Sequence, residues 1–452
     1  MTRTDQDAFG WLGILRLGLV QAALGAIVVL TTSTINRVMV VELALPAMLP
    51  GALVALHYAV QILRPRLGYG SDLGGRRAPW IIGGMAVLGL GGVLAALATA
   101  LMASDRLLGT ALAVVAFTLV GGGVGACGTN LLVLLAKRVD ERRRAAAATT
   151  VWIMMIVGFV VTAGIAGHYL DPFSPARLVL VTATVSVIAL AVTVAATYRI
   201  EGRASRPTAD TGAAVPPRTP FREALTQVWS EVRARHFTVF IFVSMLAYSA
   251  QDLILEPFAG AVFGFTPGES TRLAADQHGG VLVGMLLLAA LGSTAWGRRL
   301  ASLQTWTIIG CLASAATLFN LAAGGLLGAD FPLRTAVFAL GVANGVFAVA
   351  AIGAMMGLVG EGREQREGVR MGLWGAAQAV AYAIGGFLGT AAIDLTRALM
   401  EAPGPAYAFV FAAEALLFLA AAGLAARVTR AETTGPAAGA VMRNASTAAE
   451  TA

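Results

Sequence analysis

Five charged residues stand where a chain this apolar would be expected to have none. Arg37 and Glu42 interrupt "TINRVMVVELALP" (34–46), Asp252 and Glu256 interrupt "AYSAQDLILEPFAG" (247–260), and Glu414 lies inside "FVFAAEALLFLAAAGLAA" (409–426). A charged side chain in hydrocarbon costs about 2.5–3.5 kcal/mol on insertion scales, so such residues have a partner or a task. Two chemistries fit these types. Opposite charges at one depth can form an ion pair across a helix bundle. Carboxylates beside an arginine can also exchange a proton for that pair and so couple proton binding to a conformational change.

The spacing narrows the pairing. Asp252 and Glu256 are four apart and share one helical face. Arg37 and Glu42 are five apart, about 140° round an α-helix, which is poor geometry for an ion pair with each other. Counted from the starts of their spans, Arg37, Asp252 and Glu256 reach similar depth, toward the outer end. The expectation is that Arg37 meets Asp252 or Glu256 across a central cleft; the alternative is that each charge snorkels unpaired to the interface. Glu42 can simply mark the end of its helix ahead of Pro46. Glu414 is expected to be bonded within the bundle, or to face a ligand or partner. The four histidines add His57, inside the second span, and His278, at the expected start of the eighth; His168 and His236 fall near span ends.

The elements that hold these residues follow from composition. Of 452 residues 57% are hydrophobic and only 13% charged, with a mean hydropathy of +0.76. Soluble domains carry about 25% charged residues, so this is a polytopic membrane protein. Apolar runs of about 20 residues recur, long enough to cross a bilayer as helices and too long for barrel strands. Twelve spans are expected, near 14–41, 47–68, 79–102, 108–136, 148–169, 176–198, 237–258, 278–296, 303–327, 333–359, 372–396 and 405–427. The net charge of +7 is no nucleic-acid footprint. Most Lys and Arg fall on the N-terminal side of the spans, which places both termini in the cytoplasm. With no short apolar core and cleavage site at its start, the first span is expected to remain as an anchor.

The organisation expected is a six-helix half over 1–198, a cytoplasmic linker over 199–236, a second half over 237–427 and a disordered tail over 428–452. The linker, rich in Pro, Ala, Thr and Arg, runs into a segment whose apolar Phe221, Leu225, Val228, Trp229 and Val232 make one face of a helix on the membrane surface. The 53 glycines, including "GGGVGACG" (121–128), suit close helix packing in lipid, with bending during a transport cycle as the functional alternative. Lys137 is the single lysine and no phosphate-binding glycine pattern precedes it, so ATP-driven transport by this chain is not expected. Cys127 and Cys311 are isolated and read as packing, and no zinc motif or nucleophile elbow occurs. No bound metal and no catalysis are expected.

Between spans two and three, "GYGSDLGGRR" carries Gly68, Asp72, Gly75, Arg76 and Arg77. It resembles the signature loop of the major facilitator superfamily, which implies an all-α fold of two six-helix halves. That resemblance makes Asp72 part of a latch between the halves, with Arg370 or the start of span eleven as partner. The second-half counterpart, "WGRRLA" (296–301), lacks the aspartate. Three further stretches, "INRVMVVEL" (35–43), "AYSAQDLILEPFAG" with "VFGFTPGEST", and "QHGGVL" (277–282), resemble the PucC/LhaA family, the bacteriochlorophyll-delivery branch of that superfamily, from about Leu15 to Arg427.

This resemblance implies an assembly factor of the photosynthetic inner membrane, serving light-harvesting antenna polypeptides. It would carry bacteriochlorophyll transiently and work beside the enzymes that make it. His57 and His278 are then candidate magnesium ligands, and Glu414 a candidate contact to pigment or to an antenna helix on the outer surface. Self-association into a homo-oligomer is left open. Two other classes stand beside this reading, a proton-coupled solute transporter and a scaffold that binds no pigment. The acidic residues' place near the outer end, away from the midplane, weighs against transport.

Overall fold

The computed structural model describes residues 9–61, 76–140, 143–201, 226, 229–293, 302–360, 367–400 and 402–433. Among them the chain is helical throughout and forms no strand. The helices in chain order are α1 (Trp11–Glu42), α2 (Met48–Val60), α3 (Ala78–Met102), α4 (Arg106–Arg138), α5 (Arg144–Tyr169), α6 (Pro175–Thr197), α7 (Val232–Phe263), α8 (Pro267–Ser293), α9 (Leu303–Leu327), α10 (Leu333–Gly360), α11 (Glu367–Leu399) and α12 (Pro403–Thr433). All but α2 are long and apolar enough to span a bilayer in their described residues, so the chain is a multi-pass membrane protein. Successive helices run antiparallel. The end of the bundle opposite the two chain ends is called here the far side.

Local chemistry starts and stops these helices. Asp105, Ser174 and Ser302 each accept a backbone N–H three residues on, at 3.0, 3.2 and 3.2 Å, which caps α4, α6 and α9. Gly264, with φ of 71°, ends α7 in the left-handed region. Two residues later "TPGE" begins α8 with a reciprocal capping box. Thr266 N–H donates to Glu269 Oε2 at 2.9 Å, and Glu269 N–H donates to Thr266 Oγ1 at 3.1 Å. That box starts the eighth span at Pro267 rather than at 278 and puts His278 in mid-helix. Likewise α7 begins at Val232, after a bend at Glu231, and runs on through Pro257 to Phe263. Of the expected surface helix over 220–236, residues 220–225, 227 and 228 lie outside the described residues; Thr226, Trp229 and Ser230 are helical, and 232–236 belong to α7. At the other end α12 continues to Thr433, beyond the expected start of the tail; 434–452 lie outside the described residues.

Packing repeats with a period of six helices. In the first half α1 lies against α5 and α6, α3 against α4 and α6, and α2 against α4. In the second, α7 lies against α11 and α12, α9 against α10 and α12, and α8 against α10. The halves meet along α5 with α8, along α2 with α11, and where the far end of α1 touches α7. Each half has its own apolar core. One is built around Leu17, Leu88, Val120 and Leu131, the other around Phe240, Phe258, Phe347 and Phe411.

The two halves are joined most tightly on the far side. Between α5 and α8, a Cβ added at Gly167 would stand 2.6 Å from the Gly268 carbonyl oxygen, so the backbones touch there. Arg272 seals that contact with bonds to the Gly167 carbonyl at 2.8 Å and to Asp171 at 3.0 Å. Across the other seam Asp394 of α11 accepts the backbone N–H groups of Ala47 and Met48 at 2.8 and 2.7 Å, capping α2 from the opposite half. A carboxylate at a helix N-terminus satisfies orphan donors and meets the positive end of the helix dipole. Asp394→Ala should therefore cost about 0.5–2 kcal/mol, read as a lower thermal midpoint of the detergent-solubilised protein.

Candidate functional site

The site begins with a proline. Pro257 lies inside α7 and has no N–H, so the carbonyl four residues earlier, on Leu253, loses its helical donor. In a dry bundle that carbonyl needs another donor. Asn36 of α1 supplies it, with Nδ2 2.6 Å from Leu253 O. One residue on, Arg37 is 2% exposed and reaches out of the same helix, donating Nη2 to the backbone carbonyl of Phe265, just past the end of α7. Gly260 makes room for it: a Cβ there would stand 2.9 Å from Nη2. Thr34 and Thr271 hydroxyls add a bond of 3.0 Å to α8. The "INR" of the first span is thus a clasp onto the seventh.

Arg37 forms its ion pair with Glu42, through Nη1, and not with Asp252 or Glu256. The expectation from spacing failed because α1 is not α-helical there. Val38–Glu42 is a π-helical turn, closed by Leu43 N–H to Val38 O at 3.1 Å. A turn bonded from i to i+5 brings residues five apart toward one face. A second π-turn at Leu30–Thr34 loosens the helix one step earlier.

The carboxylates of α7 do share one face, as their spacing requires. Glu256 is 2% exposed, with Arg37, Ser33 and Ser270 as its polar neighbours. Asp252, a turn deeper and half-buried, accepts from Gln277 Nε2 of α8 at 3.2 Å. Asp252 stands eleven residues from the end of α7, about 16 Å into the bundle, deeper than the outer end where its spacing had placed it.

Glu414, also eleven residues from its far-side helix end, points inward. It is 3% exposed, without a hydrogen-bond partner among the described residues, and within electrostatic reach of Asp252. A contact from Glu414 to an antenna helix on the outer surface is ruled out by that burial. The stripe continues below Asp252 with Tyr248, whose ring lies 6.1 Å from Tyr382 of α11, itself 5.3 Å from Tyr58 of α2. These tyrosines were not expected; the position of Tyr248, four residues before Asp252, was the available sign.

The histidines differ. His57 is buried in α2, its Nε2 2.8 Å from the Gln61 amide nitrogen and its ring 4.6 Å from that of Tyr58. That nitrogen is engaged in this conformation. His278 directs Nδ1 to the Ala274 carbonyl at 2.8 Å and meets Phe159 of α5 edge-on, centroids 4.8 Å apart. Among the described residues no group of three or more His, Cys, Asp and Glu side chains could hold a bare metal ion.

Of the signature loop, Gly68, Asp72 and Gly75 lie outside the described residues, as does the side chain of Arg370. Arg76 is exposed and Arg77 buried. Glu201, inside the stretch expected as linker, is an anchor instead. It accepts the backbone N–H groups of Arg77 and Ala78 at 2.7 and 3.0 Å, capping α3, and Arg138 donates to its carbonyl at 2.7 Å.

Two bundles of six helices that meet along common seams define a membrane protein of the major facilitator fold, and the solved structures it resembles are transporters. The nucleoside transporter NupG aligns with a TM-score of 0.66 at 12% identity, over 92% of this chain and 99% of that one. A bacterial homolog of the human lysosomal transporter Spinster aligns with 0.65 at 15% identity, over 92% and 96%. At such identities the likeness is one of fold. The family model "PUCC protein" matches residues 34–433, and the chain belongs to that family. It is 53% identical over 425 residues to the "Bacteriochlorophyll synthase 44.5 kDa chain" of Rhodobacter capsulatus, covering 93% of this chain and 96% of that protein. "Protein PucC" of Cereibacter sphaeroides is 30% identical over 430 residues, 90% of each chain.

Two outcomes follow from the clasp. Asn36→Ala should cost about 1–3 kcal/mol in the native chain, because it strands the Leu253 carbonyl. In a Pro257→Ala background, where the helix can bond that carbonyl itself, the cost should shrink; a double-mutant cycle on thermal unfolding reads the difference. Arg37→Met should cost about 1–3 kcal/mol, since it removes the bond to the Phe265 carbonyl and the pair with Glu42. Glu42→Gln, at a side chain 35% exposed, should cost under about 1 kcal/mol in the same assay.

Proposed function

We propose that this protein is an assembly factor for photosynthetic light-harvesting complexes that holds bacteriochlorophyll and hands it to antenna polypeptides. The observation that carries the reading is the family match across almost the whole of the helical bundle, residues 34–433. The bundle fits such a task. On this reading the seams between the halves, α5 with α8 and α2 with α11, are where an apolar pigment and a newly inserted antenna helix would be met. Lateral contacts of this kind rest on small and apolar helix faces. On this reading the protein sits in the inner photosynthetic membrane with both termini in the cytoplasm, as the distribution of Lys and Arg supports. We read it as a non-enzyme, in keeping with the transporter fold; the word "synthase" in one relative's name stays with that relative.

A second reading has its own observation. Asp252 and Glu414 are carboxyl groups at matched depth inside the bundle, with Glu256 and Arg37 above them, a layout that suits proton coupling in a solute transporter. Purification in mild detergent from a phototrophic host separates the readings. Near-infrared absorbance in the purified fraction, with antenna polypeptides co-purifying, is the expected result. Antenna without pigment indicates a scaffold. Solute-driven proton flux in reconstituted vesicles, with neither pigment nor antenna bound, overturns the assembly reading.

A further inference from the structure

His278 stands eleven residues into α8, about 16 Å from its far-side end, level with Asp252 and Glu414. Its Nδ1 lies 2.8 Å from the Ala274 carbonyl oxygen. A carbonyl only accepts, so Nδ1 carries the proton and the lone pair is on Nε2. Nε2 has no hydrogen-bond partner, although the residue is only 9% exposed. Nε2 is not one of the fully buried polar atoms, so it keeps accessible surface and its lone pair is open to a ligand. An imidazole whose second nitrogen is tied to a backbone carbonyl is also the arrangement that orients metal-ligating histidines.

The surroundings say what that ligand is. The ring packs on Phe159, which belongs to one apolar cluster with Met155 and Ile156 of α5 and Val281 and Met285 of α8. A bare divalent cation needs several nitrogen, sulfur or oxygen donors, and no such group occurs among the described residues. A metal already held in the plane of an apolar macrocycle needs one axial donor and greasy walls. Beside His278, a Cβ at Gly279 would meet no atom of another helix within 4 Å, so that face of α8 is open.

We propose that His278 Nε2 is the axial ligand for the magnesium of a chlorin taken at the seam between α5 and α8. This rests on the delivery reading above and names the residue that would hold the pigment. The adjacent Gln277 turns to Asp252 on α7, so α8 presents its polar pair to two neighbours at one depth.

The test is direct titration of the detergent-solubilised protein with bacteriochlorophyll a and with its magnesium-free counterpart. Absorbance and resonance Raman bands report whether the magnesium has gained an axial ligand. Wild type should bind the magnesium form at least about tenfold tighter than the metal-free one, with the five-coordinate signature. His278→Leu should lose that preference and signature while still binding the metal-free pigment, and added imidazole should restore both in His278→Gly. If wild type shows no preference, or His278→Leu keeps it, the ligand assignment is overturned while pigment binding stands. If wild type binds neither pigment, the delivery reading falls and the assignment with it.

Discussion

One backbone carbonyl organises the far side of this bundle. Pro257 takes away the helical donor of Leu253 O, and in the dry interior of a membrane protein that oxygen has to find another. The other is the Asn36 amide, on a helix of the opposite half. Arg37, one residue later, then has nowhere apolar to lie and finds the open end of α7 at Phe265 and the bare backbone at Gly260. The closure of the far end, the approach of α1 to α7 and the column of carboxylates beneath Arg37 all follow from this contact.

The clasp is asymmetric although the bundle is not. The main helix pairings within the first half recur six helices later, because each half solves the same problem of packing small and apolar faces in lipid. The polar residues do not recur. α1 brings the amide and the guanidinium, whereas α7 brings the proline, the freed carbonyl and the carboxylates. The remaining seams are closed by different devices: touching glycines with an Arg272–Asp171 pair on one side, and a carboxylate capping a foreign helix on the other. The charges are therefore concentrated where the halves meet, and the cores stay apolar.

Much of this was legible in the residues, and the exceptions have physical causes. Asp252 and Glu256 share a face because α7 is regular between them. Arg37 and Glu42 pair because α1 is not regular there, and a π-turn leaves no mark in a run of Val and Met. His278 was expected at a helix start; the boundary was "TPGE", whose capping box is written in the sequence. Glu201 reads as linker by composition, yet its carboxylate is held by the N-terminus of α3.

The amino-acid sequence by itself determined that this chain crosses the membrane, about how many times, and which few residues break the apolar pattern. Those are local properties, set by hydropathy, helix period and the cost of charge in hydrocarbon. Only the tertiary structure decided their partners. Glu414 turns inward toward Asp252, Glu256 sits beneath Arg37, and His278 is left with one open nitrogen. Each outcome depends on how closely two helix backbones approach and which carbonyls lose their own donors, and these are properties of pairs of helices far apart in the chain.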